Sequence, residues 1–264
     1  MLLDYFGEIK MTTHLIIPDC QVRAGDDTGY LTSLGKYIVK KQPDVIVNIG
    51  DFADMPSLSS YDIGKKSFEG RRYLNDINAS RNAMSALLSP IREFNKKAKK
   101  NKEKQYKPRM VLCLGNHENR INRAVNDDPK LDGVLSIKDL QYEEMGWEVH
   151  DFLKVVIIDG IAYSHYFVTG VAGRPASSAA AQLNKKHQSC IAGHQQGLQI
   201  ATGYKADGGL ITSVIAGSFY EHDEDYLGPQ GNNHWRGFLV AHDVVDGEFD
   251  LMPVSMKFLK AKYG

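Results

Sequence analysis

The sequence predicts an α/β protein in which two packed, mixed β-sheets are flanked by helices. Three observations carry that expectation. Apolar runs alternate with helical patterns early in the chain and follow one another with little helix late in it. The first two runs are joined by one amphipathic helix, as in a parallel βαβ unit. Several runs end abruptly in small polar clusters, and in open α/β sheets the C-terminal strand edge is where ligands bind. The 264 residues are 42% hydrophobic, enough for a substantial core, and show no repeat or composition break. One domain over residues 1–264 is expected, with residues 1–10 as an N-terminal extension.

In chain order, His14-Leu15-Ile16-Ile17-Pro18 is a short β-branched run closed by Asp19-Cys20-Gln21, and residues 22–29 form a glycine-containing loop. Residues 28–41 place Tyr30, Leu31, Leu34, Tyr37 and Ile38 on one helical face, and Pro43 stops that helix. Residues 45–49 are a second strand ending in Gly50-Asp51-Phe52-Ala53-Asp54, parallel to the first. Residues 55–72 are polar and read as a long loop over a site, as functional lids often are. From Tyr73 to about Lys100 the stripe Leu74, Ile77, Met84, Leu87, Leu88, Ile91 and Phe94 predicts a helix that Pro90 kinks. Residues 111–114 are a third strand, followed by Gly115-Asn116-His117-Glu118. A broken helical stretch covers 119–145. Strands follow at 147–149, 155–158 and 161–165, a helix at 177–187, and strands at 189–192, 210–216, 237–244 and 249–254.

Thirty-two basic residues balance 32 acidic ones, so no global field argues for a nucleic-acid or membrane surface. The three cysteines, Cys20, Cys113 and Cys190, have neither disulfide-framework nor zinc spacing, which suits a reducing cytoplasm. No apolar stretch approaches the roughly 18 residues of a spanning helix. The lysine-rich run from Lys96 to Lys107 reads as a solvated helix end.

Five polar clusters each follow an apolar run: Asp19-Cys20-Gln21, Gly50-Asp51-Phe52-Ala53-Asp54, Gly115-Asn116-His117-Glu118, His165, and Gly193-His194-Gln195-Gln196. Any one alone reads as a turn or a structural histidine. Together, in this order, they resemble the calcineurin-like metallophosphoesterases, whose pattern is Asp-x-His, Gly-Asp-x-x-Asp, Gly-Asn-His-Asp/Glu, a lone His, and Gly-His-x-His. The resemblance runs from Asp19 to Gln196 and implies a four-layer α/β/β/α sandwich holding two divalent metal ions, with manganese first in expectation and magnesium, zinc, iron and nickel as alternatives. It implies that Asp51 bridges the ions, that Asn116, His165 and His194 complete one shell, and that Asp19 binds the other ion. His117 would protonate the leaving alkoxide or hold the phosphate, with Asp54 orienting it. Glu118 reads as structural.

The chemistry stands beside the resemblance. A phosphate ester resists attack because its oxygens are negative. Two cations about 3.5–4 Å apart neutralise that charge and acidify a water between them. A bridging ligand must be a carboxylate, which has two oxygens to share, and an Asn oxygen adds no negative charge.

The chain departs from the family pattern where Gln21 and Gln196 replace histidines, and both changes map to the first ion. That site would offer Asp19, Gln21, Asp51 and Gln196, all oxygen, which suits hard ions such as magnesium or manganese. It would either bind such an ion weakly or stand empty with the two glutamines bonded to water. Arg71, Arg72, Arg120 and Arg123 are candidates to clamp phosphate oxygens. Tyr220, His222, His234 and Trp235 are candidates for a pocket wall that could stack a base. The expected function is a metal-dependent phosphoesterase, with a phosphodiesterase, nuclease or nucleotide-type substrate ahead of a phosphomonoester or phosphoprotein. Met55-Pro56 stands where the protein-phosphatase branch has Arg-Gly. The contrasting class is a phosphoesterase-fold scaffold with little catalysis, whose only support is the two glutamines.

Overall fold

The computed structural model describes residues 11–224 and 227–264. Residues 1–10, expected as an extension, lie outside that range. The elements are β1 (Thr12–Ile17), α1 (Gly29–Lys41), β2 (Val45–Asn48), α2 (Tyr73–Asn101), β3 (Arg109–Cys113), α3 (Arg120–Asp127), β4 (Glu148–His150), β5 (Val156–Ile158), β6 (Ile161–Tyr163), α4 (Ala179–Lys186), β7 (Cys190–Ala192), β8 (Leu198–Tyr204), β9 (Leu210–Ala216), α5 (Gly228–Gly231), β10 (Gly237–Val245), β11 (Glu248–Ser255) and α6 (Met256–Tyr263).

They form two mixed sheets. One has six strands in the order β11-β10-β1-β2-β3-β4, and the other has five in the order β5-β6-β7-β9-β8. The expected βαβ unit is present: β1 and β2 are parallel, with His14 against Val45 and Ile17 against Asn48. β3 joins parallel to β2, and β10 pairs antiparallel on the other side of β1.

Successive residues of β1 go to opposite faces, as the pleat requires. Ile16 packs with Val47, Val111, Tyr163, Ile191, Val214 and Leu239 in the core between the sheets. Leu15 and Ile17 face the other way, into a core shared with Leu31, Leu34 and Ile38 of α1, Met84 and Leu87 of α2, and Leu259 of α6. A smaller cluster of Ala162, Phe167, Cys190 and Ala192 belongs to the second sheet, against which α4 packs. Helix, sheet, sheet and helix therefore stack in the expected sandwich. Among the described residues no helix is long and apolar enough to cross a membrane.

Helix α2 runs unbroken through Pro90. The proline supplies no N–H to the carbonyl of Ala86, and the Ser89 hydroxyl donates to that carbonyl instead, at 3.1 Å. Opposite it, Gly35 of α1 lets the helices approach closely: a Cβ there would lie 2.3 Å from the Leu87 carbonyl and 2.8 Å from Pro90 Cδ. Leu74, expected in the buried stripe, is 68% exposed because it falls to one side of the Ile77–Met84–Ile91 line. The expected loop at 55–72 carries three short 3-10 turns, at Pro56–Leu58, Ser60–Asp62 and Lys66–Phe68. Three elements were absent from the sequence expectation: β8, the single-turn α5, and α6. β8 is an edge strand with Ile200 50% and Tyr204 76% exposed, so its apolar residues do not mark a buried face. α6 is short, and its start is set by the Ser255 hydroxyl accepting the Phe258 N–H.

Candidate metal centre

The five polar clusters leave the C-terminal ends of β1, β2, β3, β6 and β7. Close backbone contacts hold the loops together. Asp51 itself adopts a left-handed φ of 50°, and Gly50 precedes it at 97°. A Cβ on Gly50 would meet the Cys113 carbonyl at 2.6 Å, and one on Gly115 would meet Asp51 Oδ1 at 2.1 Å. The buried Glu118 carboxylate fastens both loops. Its Oε2 accepts from the N–H groups of Asp51 and Gly115 at 3.0 and 2.9 Å, and its Oε1 accepts from Ala53 at 2.9 Å. The Asp51 carbonyl in turn receives the N–H groups of Cys20 and Gln21 at 3.0 and 2.8 Å. Gly193 passes so close to β1 that a Cβ would stand 2.4 Å from Asp19 Oδ1.

These contacts bring Asp51, Asn116, His165 and His194 to one point. Ligand atoms of Asp51, His165 and His194 lie within 4.8 Å of one another. His165 Nε2 and His194 Nδ1 each lie 2.8 Å from Asn116 Oδ1, and His165 Nε2 is 3.3 Å from Asp51 Oδ2. The other nitrogen of His165 sits 2.9 Å from the Ile49 carbonyl, which fixes the ring. Burial works against a charge on His165, but the Asp51 carboxylate overrides it and lifts the group to about 9. His194 goes the other way, down to about 4, because burial and the charge on His165 both disfavour its cation. Asp51 resists burial and is held below the usual carboxylate range by His117 and His165.

The second half of the site is made of oxygens. Asp19 Oδ1 accepts the His194 N–H at 3.1 Å. Asp19 Oδ2 and Gln21 Oε1 are buried and, among the described residues, have no hydrogen-bond partner. An unpaired buried oxygen costs on the order of 1–3 kcal/mol. Burial, with the Asp51 charge adding to it and His165 opposing, pushes Asp19 up to about 7. The partnerless Asp19 oxygen, close to the Asp51 carboxylate and the two imidazoles, fits a divalent cation. Gln196 stands apart from this pair. Its carboxamide oxygen accepts the Tyr220 hydroxyl at 2.8 Å, and ligation would mean giving that bond up.

His117 lies beside the centre. Its N–H reaches Asp51 Oδ1 at 2.8 Å, its Nδ1 is 2.5 Å from Asp54 Oδ1, and its Nε2 is 3.6 Å from Asp51 Oδ2. Burial would lower its pKa, but the Asp51 and Asp54 carboxylates raise it. Asp54 carries more cations than His117 alone. Arg120 Nη1 donates to its carbonyl at 2.7 Å and approaches Oδ1 at 3.3 Å, and Arg23 Nε donates to Oδ2 at 2.6 Å. Arg120 Nη2 is also 3.3 Å from His117 Nε2. Arg71 is drawn elsewhere, to Asp62 at 2.8 Å and the Pro56 carbonyl at 3.1 Å.

Of the expected wall, Tyr220 is fully buried and stacks on His222, with ring centroids 4.4 Å apart, so its face is not open to a base. Trp235 packs on the core between the sheets. The sequence reasoning missed three residues here: Arg23, Glu224 and Tyr166. Tyr166 is partly buried, and its ring lies 4.8 Å from that of His194. Its position directly after His165 was a signal. A single loop arginine and a glutamate two hundred residues away offered none.

No family model matches the sequence, and no curated protein matches it. Among solved structures, a conserved uncharacterized protein and predicted phosphoesterase from Streptococcus pneumoniae TIGR4 is similar at 10% identity and a TM-score of 0.39, covering 94% of this chain and 91% of that one. The phosphoesterase Yfce from E. coli is similar at 11% identity and a TM-score of 0.36, covering 92% of this chain and 99% of that one.

Proposed function

We propose that this chain is a metal-dependent phosphoesterase of the calcineurin-like kind, acting on phosphate diesters of the nucleotide or nucleic-acid type. The observation that carries the reading is the convergence of Asp51, Asn116, His165 and His194 on one point beside His117, with the partnerless Asp19 oxygen adjoining it. Asp51, Asn116, His165 and His194 would hold one ion, manganese in first expectation, and Asp19, Gln21 and Asp51 a second, more weakly bound one. Such ions supply positive charge against the phosphate oxygens and acidify a water for attack.

The chain's own contribution centres on His117. With Nδ1 taken by Asp54, the nitrogen left to serve a substrate is Nε2. The Asp51 and Asp54 carboxylates raise the His117 pKa and so favour the cation, the form that can pass a proton to the departing alkoxide oxygen. Diesters are favoured because Arg23, Arg71 and Arg120 are each engaged by a carboxylate. The second negative charge of a monoester would draw little from them. The buried free thiols of Cys20, Cys113 and Cys190 accord with a cytoplasmic setting.

The test is a metal-by-substrate matrix. Manganese should support hydrolysis of bis(p-nitrophenyl) phosphate, EDTA should abolish it, and p-nitrophenyl phosphate should turn over more slowly. Faster hydrolysis of the monoester would sink the diester preference. Tight metal binding with no hydrolysis of mono- or diesters, dinucleotides or nucleic acid under any of manganese, magnesium, zinc, iron or nickel would leave a binding scaffold.

A further inference from the structure

Asp54 is more heavily partnered than orienting one imidazole requires. Its Oδ1 faces His117 and its Oδ2 takes Arg23 Nε at 2.6 Å. Arg23 is itself held at both ends. Its Nη2 is bound to Glu224, and its own N–H donates to Asp26 Oδ2 at 3.0 Å. His222 closes the circuit, with Nε2 3.0 Å from Glu224 and Nδ1 3.4 Å from Asp26. The Glu224 backbone is pinned as well, since the Asn232 side chain accepts its N–H and donates to its carbonyl, each at 2.8 Å. Burial alone would weaken the Arg23 charge, but Glu224 and Asp54 raise its pKa and keep it cationic.

We infer that Arg23 is a positioning residue for His117, acting through Asp54 and anchored by Glu224. A carboxylate with two chemically equal oxygens can rotate about its last bond, and Arg120 approaches the same Oδ1 that serves His117. Arg23 takes Oδ2 and so fixes which oxygen meets the imidazole. Arg23 in the loop after β1, together with Glu224 and His222, thereby sets the direction of Nε2 without touching a substrate. A planar fork that spans Asp54 and Glu224 is a guanidinium property that a lysine does not reproduce. The kinetic part of the test rests on the phosphoesterase reading, and the spectroscopic part does not.

The spectroscopic experiment follows the proton on His117 Nδ1 by NMR with 15N-labelled histidine in the full chain. A proton held between His117 and Asp54 should appear well downfield in the wild type and be absent in His117→Gln. It should be broadened away in Arg23→Ala and Arg23→Lys, weakened in Glu224→Gln, and unchanged in Arg92→Ala, an exposed arginine on α2. In kinetics, Arg23→Ala should lower kcat roughly tenfold on a dinucleotide, whose leaving group needs the proton, with KM unchanged. The drop on bis(p-nitrophenyl) phosphate should be much smaller. Because the Arg23 side chain is 28% exposed, added guanidinium ion should restore part of kcat, and sodium should not. A wild-type proton signal surviving in folded Arg23→Ala, or Arg23→Lys matching wild type in both signal and kcat, would overturn the assignment. An equal loss of kcat on both substrates would do so too. If the wild type turned over neither substrate, the phosphoesterase reading would fail while the NMR comparison still decided the role of Arg23.

Discussion

The two halves of the centre differ in how far they are satisfied by the protein itself. Around Asn116, every ligand atom already has a neighbour: two imidazoles share one amide oxygen, and Asp51 faces His165 and His117. Around Asp19 and Gln21, two buried oxygens have none among the described residues. The first half can keep its shape without an ion. The second carries the cost of two unpaired buried oxygens, which a bound cation would relieve. Softness divides the halves in the same way, since imidazoles suit zinc, iron or nickel, and carboxylate and amide oxygens suit manganese or magnesium. On that division, preorganisation and metal preference would separate across Asp51, the aspartate the two halves would share.

The largest expected effect comes from removing that shared aspartate. Asp51→Asn should lose both ions by calorimetric titration and cut activity by at least about a thousandfold. Retention of one tightly bound ion would show that Asp51 does not join the halves. The next effect is a conversion of the weaker half. Gln21→His should tighten zinc in the oxygen half by roughly ten- to a hundredfold, comparable to losses seen when metal-site partners are removed. No change in zinc affinity would mean that Gln21 does not face the ion.

A third measurement uses pH on EDTA-treated protein. His165 is raised from 6.5 to about 9, so its protonated form favours the fold, and that stability is present below 6.5 and lost as pH rises through 9. Asp19, raised to about 7, shifts stability in the same direction between its ordinary value of 3.8 and 7. Melting temperature should therefore fall from pH 6.5 to 9 without metal, and the gain on adding manganese should grow over the same range, because binding releases the protons. A metal-free melting temperature that rose over that range would contradict the assigned contacts. The smallest effect is expected from Gln21→Ala. It should change metal-free stability little, because relief of an unpaired buried oxygen offsets the lost side-chain packing, while reducing the melting-temperature gain from manganese.

Much of the fold was legible because its signals are local. The β1–α1–β2 unit, the stripe of α2 and the apolar runs ahead of each polar cluster all follow from periodicity. β8 and α6 were not legible, since one is an edge strand with outward apolar residues and the other is stabilised by docking on α1. The site divides likewise. Residues at strand ends were visible as polar breaks in apolar runs, and the structure brings Asp19, Asp51, Asp54, Asn116, His117, His165 and His194 to one edge. Arg23 and Glu224 were invisible because their meaning lies only in a pairing across two hundred residues. The stacking role expected of Tyr220 failed for the opposite reason: an aromatic residue in a polar stretch looks exposed until its burial is known.

Glu118 has a consequence for how the centre opens. One buried carboxylate accepts the amides of Asp51, Ala53 and Gly115, which belong to two different loops. Neither loop can release its amide to solvent without stripping that carboxylate of partners. The three amide hydrogens should therefore exchange with deuterium together, at a single slow rate, as a fingerprint of one concerted unlatching.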